Sequence, residues 1–530
     1  MGRDQHRIFV IGAGIGGLAA AIRLAAAGAD VTIFETHTWP GGKMRVLPSI
    51  AGNVDAGPTV LTLRDVLEDL FESAGTTLSA QVKLTPLPVL ARHFWRDGTR
   101  LDLFPGPEAN AHAIGAAFGS RARSDFLRFE AETRALFTAF EAPVMRAPRP
   151  RVLAAAQAAL ARPRLLPWLA PGRSLKAMLA RRFAEPRLQQ LFGRYATYVG
   201  GNPLHAPAVL GLIWQAEARG VWAVRGGMAA LASALAEVFT DLGGTLRLGE
   251  GVARVRHSGG RVAGVDLCDG TQLDCGAVVF NGDPAALQGL IDTPRAAPSR
   301  RQTHPRSLSA RVWTLAAQVA PKGLGAEALA YHTVFFADAP RDEFMPLARG
   351  QTPHAPTIYV CAQDRAEHAG RSGEHGGGPE RMQFILNAPA TNAAPTTGPK
   401  TEDHECQIHP FTRLAQFGLH LSPTADASAL TPPESFARMF PHSQGALYGL
   451  SPDGAAATFL RPGARTRLAG LYLAGGGVHP GAGVPMAALS GKHAAEAVLA
   501  DRTSASMWRP TVMPGGTWTG SATTGRARFR

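Results

Sequence analysis

Cysteine is scarce in this chain. Its 530 residues hold four, Cys268, Cys275, Cys361 and Cys406. None forms a C-x-x-C pair, so neither a zinc site nor a disulfide framework is expected, and a reducing, cytoplasmic compartment is the simplest reading. No metal is expected. Long apolar runs are also missing. No stretch reaches the ~18 residues of a spanning helix, so any membrane association has to be peripheral. Met1 to Arg7 is polar and leads straight into a strand pattern, and a chain without a signal peptide is expected. Acidic residues are outnumbered, 41 against 54 Lys and Arg, which gives a formal charge of +13. That excess narrows the partners to nucleic acid, an anionic membrane surface or an acidic ligand. It is unevenly placed: between Glu141 and Arg187, nine Arg and one Lys face two Glu. The last stretch, Thr503 to Arg530, has no acidic residue and reads as a disordered basic tail.

What the chain does have begins at its start. Arg7 to Ile11 reads as a buried parallel strand, Gly12-Ala13-Gly14-Ile15-Gly16-Gly17 follows, and Leu18 to Ala27 reads as a helix. Val31 to Phe34 is a second strand, closed by Glu35. This is a complete βαβ unit with G-x-G-x-x-G at its first turn. Gly12 allows the tight turn, Gly14 lets the backbone approach a pyrophosphate, and Gly17 lets helix and strand pack closely. The helix N-terminus offers free N–H groups and a positive dipole end to phosphates. Glu35 stands where an acidic residue accepts hydrogen bonds from ribose hydroxyls. The unit predicts a bound dinucleotide.

Later motifs narrow the choice. Pro40-Gly41-Gly42-Lys43-Met44-Arg45 resembles the G-G-[KR]-x-R segment of the amine oxidase and phytoene desaturase superfamily of flavoproteins, and Asp55-Ala56-Gly57-Pro58-Thr59 resembles the D-x-G-P-T element of bacterial carotenoid desaturases. Gly226-Gly227-Met228 opens a helix that leads to further strands. Near the end, a strand runs into Gly475-Gly476-Gly477-Val478-His479-Pro480-Gly481-Ala482-Gly483-Val484-Pro485-Met486, and a helix then starts near Pro485. The Gly and Pro content of this run argues against a spanning helix. With the βαβ unit, these elements spread over nearly the full length and make the chain similar to bacterial carotenoid desaturases of the phytoene desaturase type. The wording of Gly475–Met486 and Asn281-Gly282-Asp283-Pro284 resemble the hydroxycarotenoid 3,4-desaturase, or methoxyneurosporene dehydrogenase, branch.

The resemblance implies FAD rather than NAD. It implies a discontinuous Rossmann-type α/β FAD domain built from 1–75, 226–292 and 446–502. An antiparallel-sheet substrate domain over 293–445 and a helical, membrane-associated region over 76–225 complete it, with the tail at 503–530. Gly42, Lys43 and Arg45 would pass near the diphosphate, with Gly57 and Thr59 following. Val252 would meet the adenine part, and Gly475, Gly476, Val484, Pro485 and Met486 the flavin ring, where the helix dipole favours negative charge on the reduced ring. The implied reaction removes two hydrogens from a C–C bond beside a polyene, with oxygen or a quinone as electron acceptor. No catalytic triad or carboxylate pair is visible by spacing. His479 is the one candidate proton acceptor, with a structural histidine as the other reading.

Between Pro143 and Arg187, basic residues alternate with Val152-Leu153, Leu165-Leu166 and Trp168-Leu169. This suits an interfacial membrane segment, peripheral to the inner or photosynthetic membrane, where a carotenoid would be collected. A solvated basic face beside an ordinary core is the alternative. The stretch lacks interleaved exposed aromatics, which argues against nucleic acid. On the same scaffold, a phytoene desaturase or carotenoid isomerase stays open. An amine oxidase would need an aromatic cage, for which six tyrosines and the 478–487 run are a poor match, and a non-catalytic flavin-binding module is the remaining class.

Overall fold

The computed structural model describes residues 6–151, 153–154, 157–158, 161–292, 305–366, 378–391, 410–424, 429–454 and 461–507. Two sheets organise them. The first is parallel and five-stranded, in the order Leu471–Leu473, Ala277–Phe280, Ile8–Ile11, Val31–Glu35, Thr245–Leu248. Its strands come from three distant parts of the chain, and Ala277–Phe280 is buried throughout. One face of this sheet packs on helices and the other on the antiparallel strands Val252–Ser258 and Arg261–Leu267, so both are covered, and Ile8, Val10, Ile33, Val278 and Val279 are all fully buried.

The helix Ile15–Ala26 follows the glycine turn. It packs along Val484–Met507, closely enough that a Cβ on Gly491 would stand 2.3 Å from the Gly16 carbonyl oxygen. Helix Met228–Asp241 covers the same layer and leads into Thr245–Leu248.

The second sheet runs Leu419–Pro423, Ser309–Gly323, Glu380–Ala388, Ile358–Ala362, His332–Phe335, Ala91–Phe94, Arg100–Leu103, with Ala429–Thr431 also paired to the long strand. Its pairings are antiparallel except one, Thr333↔Arg92, where His332–Phe335 meets Ala91–Phe94 in parallel. Six of these strands, from Ser309–Gly323 to Ala429–Thr431, fall within 293–445, where an antiparallel sheet is expected. Two further strands come from the region expected to be helical. The helical part starts at Pro107–Phe118 and Ser120–Phe140 and continues through short helices to Ala218. Among the described residues, no helix is long and apolar enough to cross a membrane.

One expectation fails at the surface. Leu165 and Trp168 are buried, each 1% exposed, and the Trp168 indole donates to Glu132 at 2.7 Å. Both belong to an aromatic core with Phe129 and have no access to a lipid interface. Sequence spacing alone does not separate a core-facing Trp from an exposed one. Leu153, 82% exposed, and Leu166, 43% exposed, do face outward. The stretch from Thr503, expected to begin a disordered tail, continues helix Val484–Met507 instead, and the tail beyond Met507 lies outside the described residues.

Candidate functional site

Two cavities meet between the sheets. The first, 590 Å³, lies along the C-terminal ends of the parallel strands, where open α/β sheets place their ligands. Gly12, Gly14, Glu35, Gly42, Lys43, Gly57, Val252, Gly475, Gly476 and Val484 line it. Gly17 does not. A Cβ there would sit 2.2 Å from the Gly12 carbonyl oxygen, so its part is the helix–strand contact expected of the third glycine.

The shape of this cavity suits a dinucleotide. A Cβ on Gly14 would stand 2.8 Å from Asn281 Nδ2, and one on Gly16 2.6 Å from the Gly475 nitrogen, so bare backbone is required there. No side chain caps the N-terminus of helix Ile15–Ala26 and no acidic residue sits in its first turn, which leaves its positive end toward the cavity. Glu35 is buried. One carboxylate oxygen accepts the Ala13 amide at 2.7 Å and the other the His37 amide at 2.9 Å, and each keeps a second lone pair for a ribose hydroxyl. Lys43 donates to the Leu447 carbonyl and stands 5.2 Å from the centre of the Phe440 ring. Burial pulls its ammonium down to about 8, with Asp283 opposing and Arg306 adding to the effect.

Five further expected site residues, Arg45, Thr59, His479, Pro485 and Met486, lie outside this cavity. Arg45 lines neither cavity and donates to Thr431 at 2.6 Å, so it pins the segment to the large sheet. Thr59 hydrogen-bonds the Tyr359 hydroxyl at 2.6 Å and lines the second cavity. Pro485 and Met486 line that second cavity too. His479, the candidate proton acceptor, stands outside both cavities. It is buried, and its Nε2 pairs with the Ala147 carbonyl at 2.9 Å. Burial lowers its pKa.

Sequence reasoning passed over Asn281 as a site residue. It follows strand Ala277–Phe280, its amide donates to the Gly12 carbonyl at 3.1 Å, and it lines the first cavity. Its position at a parallel strand's C-terminal end was the available signal. Tyr448 and Arg461 also line the cavities and carry no local signal, because distant segments bring them there.

The second cavity, 380 Å³, is mostly apolar, with Leu63, Phe137, Phe140, Val144, Val209 and Ile213 in its walls. It shares Pro58, Ala310, Ile385, Leu447, Tyr448, Gly483 and Val484 with the first, so the two spaces abut. Its charged lining residues are Arg194, Glu217, Glu343 and Arg461, and Thr59, Tyr198, Tyr359 and Tyr448 are among its polar ones. Glu343 accepts from Thr357 at 2.5 Å and from Asn387 at 2.8 Å, and burial raises its pKa.

Solved structures share this architecture. An A394C putrescine oxidase superposes with a TM-score of 0.60 at 14% identity, covering 94% of this chain and 99% of that one. An oxidoreductase from Methanosarcina mazei gives 0.55 at 18%, covering 92% and 100%. Identities this low speak for the fold alone. Among curated proteins, the hydroxyneurosporene desaturase of Cereibacter sphaeroides is 53% identical, covering 94% of this chain and 99% of that protein. That of Rhodobacter capsulatus is 49% identical over 95% and 99%, and that of Rubrivivax gelatinosus 42% over 98% and 98%. The family model described as flavin containing amine oxidoreductase matches residues 15–336 and 438–499. The chain belongs to this flavoprotein family, in its hydroxyneurosporene desaturase branch.

Proposed function

We propose that the chain is an FAD-dependent carotenoid desaturase that introduces the C3–C4 double bond into 1-hydroxy or 1-methoxy acyclic carotenoids. The relatives' names support the substrate class. The observation that carries the reading is the apolar cavity abutting the glycine-lined one across seven shared residues. In this reading, segments 1–75, 226–292 and 446–502 form the discontinuous FAD domain. Segments 76–225 and 293–445 enclose the carotenoid. Gly12, Gly14, Glu35, Gly42, Lys43, Gly57, Val252, Gly475, Gly476 and Val484 hold FAD, with Pro485 and Met486 on the substrate side of the same turn.

When bound, FAD supplies the acceptor for the hydride that leaves the carotenoid. The residues of the chain position and shield. Pro58, Tyr448 and Val484 stand where the two cavities join and set how a polyene can approach. Phe137, Phe140 and Val144 exclude water from the apolar side. The carboxyls of the lining, Glu217 and Glu343, are both engaged by hydroxyl or amide donors. This suits a reaction in which the conjugated chain itself delocalises developing positive charge.

The chain would collect its substrate at a membrane, with Leu153, Leu166 and neighbouring basic side chains as the docking face. The adjoining Val144 and Met145 line the apolar cavity, which supports entry from this side. Oxygen or a quinone takes the electrons. The test is expression in cells that make neurosporene or its 1-hydroxy derivative, with pigment chromatography and absorption spectra. Extension of the hydroxylated pigment by one conjugated double bond is the expected result. Conversion of phytoene with the hydroxylated pigment untouched would assign a phytoene desaturase instead.

A further inference from the structure

Arg194 is the anomaly of the apolar cavity. It is 7% exposed, it lines the cavity, and only part of its guanidinium is used. Nη1 donates to the Tyr198 hydroxyl at 2.8 Å. Nε and Nη2 are buried and have no acceptor among the described residues. Orphaned buried donors are costly, more so on a charged group, so an arrangement that keeps two of them calls for an acceptor that arrives with the ligand.

The surroundings narrow what that acceptor is. Tyr198 and Tyr195 both donate to Glu217, and both rings lie about 5 Å from the guanidinium, at 5.0 and 5.2 Å. Burial alone would lower the Arg194 pKa, but Tyr198, Tyr195 and Glu217 outweigh it and raise it, so the charge is permanent. It is already balanced by Glu217 through the tyrosine hydroxyls. The missing partner is therefore a neutral oxygen on an otherwise apolar molecule.

The position is also informative. The turn Arg194–Val199 ends at Gly200, where a Cβ would stand 2.6 Å from Tyr448 Cδ2. Tyr448 lines both cavities. Arg194 thus belongs to a turn that packs against the junction where chemistry would occur.

We propose that Arg194 is a specificity-determining residue that donates hydrogen bonds from Nε and Nη2 to the C1 oxygen of the carotenoid end group. This rests on the desaturase reading above. The carbinol carbon is two bonds from C3, so holding its oxygen sets which C–C bond stands at the junction. A chain without the oxygen leaves the two donors unpaired and can slide.

The test compares 1-hydroxyneurosporene, its 1-methoxy ether and neurosporene on flavin-loaded parent, Arg194→Gln and Arg194→Lys enzymes, with flavin content and melting temperature measured alongside. The parent should convert both oxygenated pigments and disfavour neurosporene by roughly 10- to 100-fold in kcat/KM, the range for a lost hydrogen bond to a charged group. Arg194→Gln should lose that preference by a similar factor with flavin content kept, and Arg194→Lys should fall between. A folded Arg194→Gln enzyme that keeps the parent's preference overturns the proposal. So does a parent that converts neurosporene equally well, or one that accepts the alcohol and rejects the ether, which would place recognition on an acceptor such as Glu217. The last two outcomes need no variant to fold. A parent that converts no carotenoid at all refutes the desaturase reading itself, and does so before any variant is compared.

Discussion

The Asp55 carboxylate accepts the Met228 amide at 2.6 Å and the Ala229 amide at 3.2 Å. It therefore caps a helix that begins 173 positions away. A Cβ on Gly227 would lie 2.2 Å from Asp55 Oδ2, which is why a glycine precedes Met228. Two motifs far apart in sequence are thus one structural joint. It ties the segment carrying Gly57 and Thr59 to the layer beneath the glycine cavity.

Asp55→Ala should loosen that joint. Removing a capping carboxylate costs about 0.5–2 kcal/mol, and burial of the freed amides puts this site at the upper end. Thermal unfolding of the flavin-loaded protein should show a clear drop in melting temperature, with Asp55→Asn retaining part of the stability. Equal melting of parent and Asp55→Ala would mean that the cap contributes nothing.

Gly14→Val should abolish flavin uptake. The added Cβ would meet Asn281 Nδ2 at 2.8 Å, and the branched side chain would extend into the space where the diphosphate must approach bare backbone. The readout is the flavin absorbance of purified protein against its polypeptide concentration. Normal flavin content in this variant would remove the glycine turn from the binding site.

Much of this was legible because it is local. The turn Gly12–Gly17, strand Val31–Glu35 and the run into Val484 declare themselves by spacing, since each glycine answers a backbone constraint inside its own unit. Arg45, Thr59 and His479 did not, because their partners, Thr431, Tyr359 and Ala147, come from other segments that only folding brings near. Strands Ala91–Phe94 and Arg100–Leu103 were hidden for a similar reason. The first pairs in parallel with His332–Phe335, a long-range contact with no trace in local periodicity. Arg194 looked like one more basic residue until its burial was visible.

Lys43 should make flavin affinity depend on pH. Its pKa lies at about 8 instead of 10.5, chiefly through burial. Between those two values the unfolded chain binds a proton that the folded chain has released, so its contribution makes stability rise with pH across that window. Flavin-free Lys43→Met should accordingly be more stable than the parent at pH 7, with the gap closing toward pH 10. A diphosphate beside Lys43 draws its pKa back up, so binding favours the protonated form. Parent affinity for FAD, measured by fluorescence titration, should fall from pH 7 to pH 9.5 while that of Lys43→Met stays flat. Parallel pH profiles would show that Lys43 does not meet the diphosphate.

Membrane docking should be salt-sensitive and should rest on residues that the fold leaves outside. In the stretch 141–187, Arg149, Arg151, Arg162, Arg164, Lys176 and Arg181 are exposed, and Leu153 and Leu166 accompany them. Arg182 is engaged by Glu132 at 2.7 Å and Arg187 by Asp97 and Glu185, so these two are poor reporters. Each exposed basic residue near an anionic surface contributes about 1 kcal/mol, and half of them suffice for reversible binding once leucine burial is added. The Debye length shrinks from ~10 Å at 0.1 M salt to ~3 Å at 1 M, so flotation with anionic liposomes should weaken across that range and be absent with neutral ones. The variant Arg162→Glu, Arg164→Glu, Arg181→Glu should stay at the bottom of the gradient at 0.1 M salt, with flavin content unchanged. If it floats as the parent does, these side chains form only a solvated face and the carotenoid enters from another side.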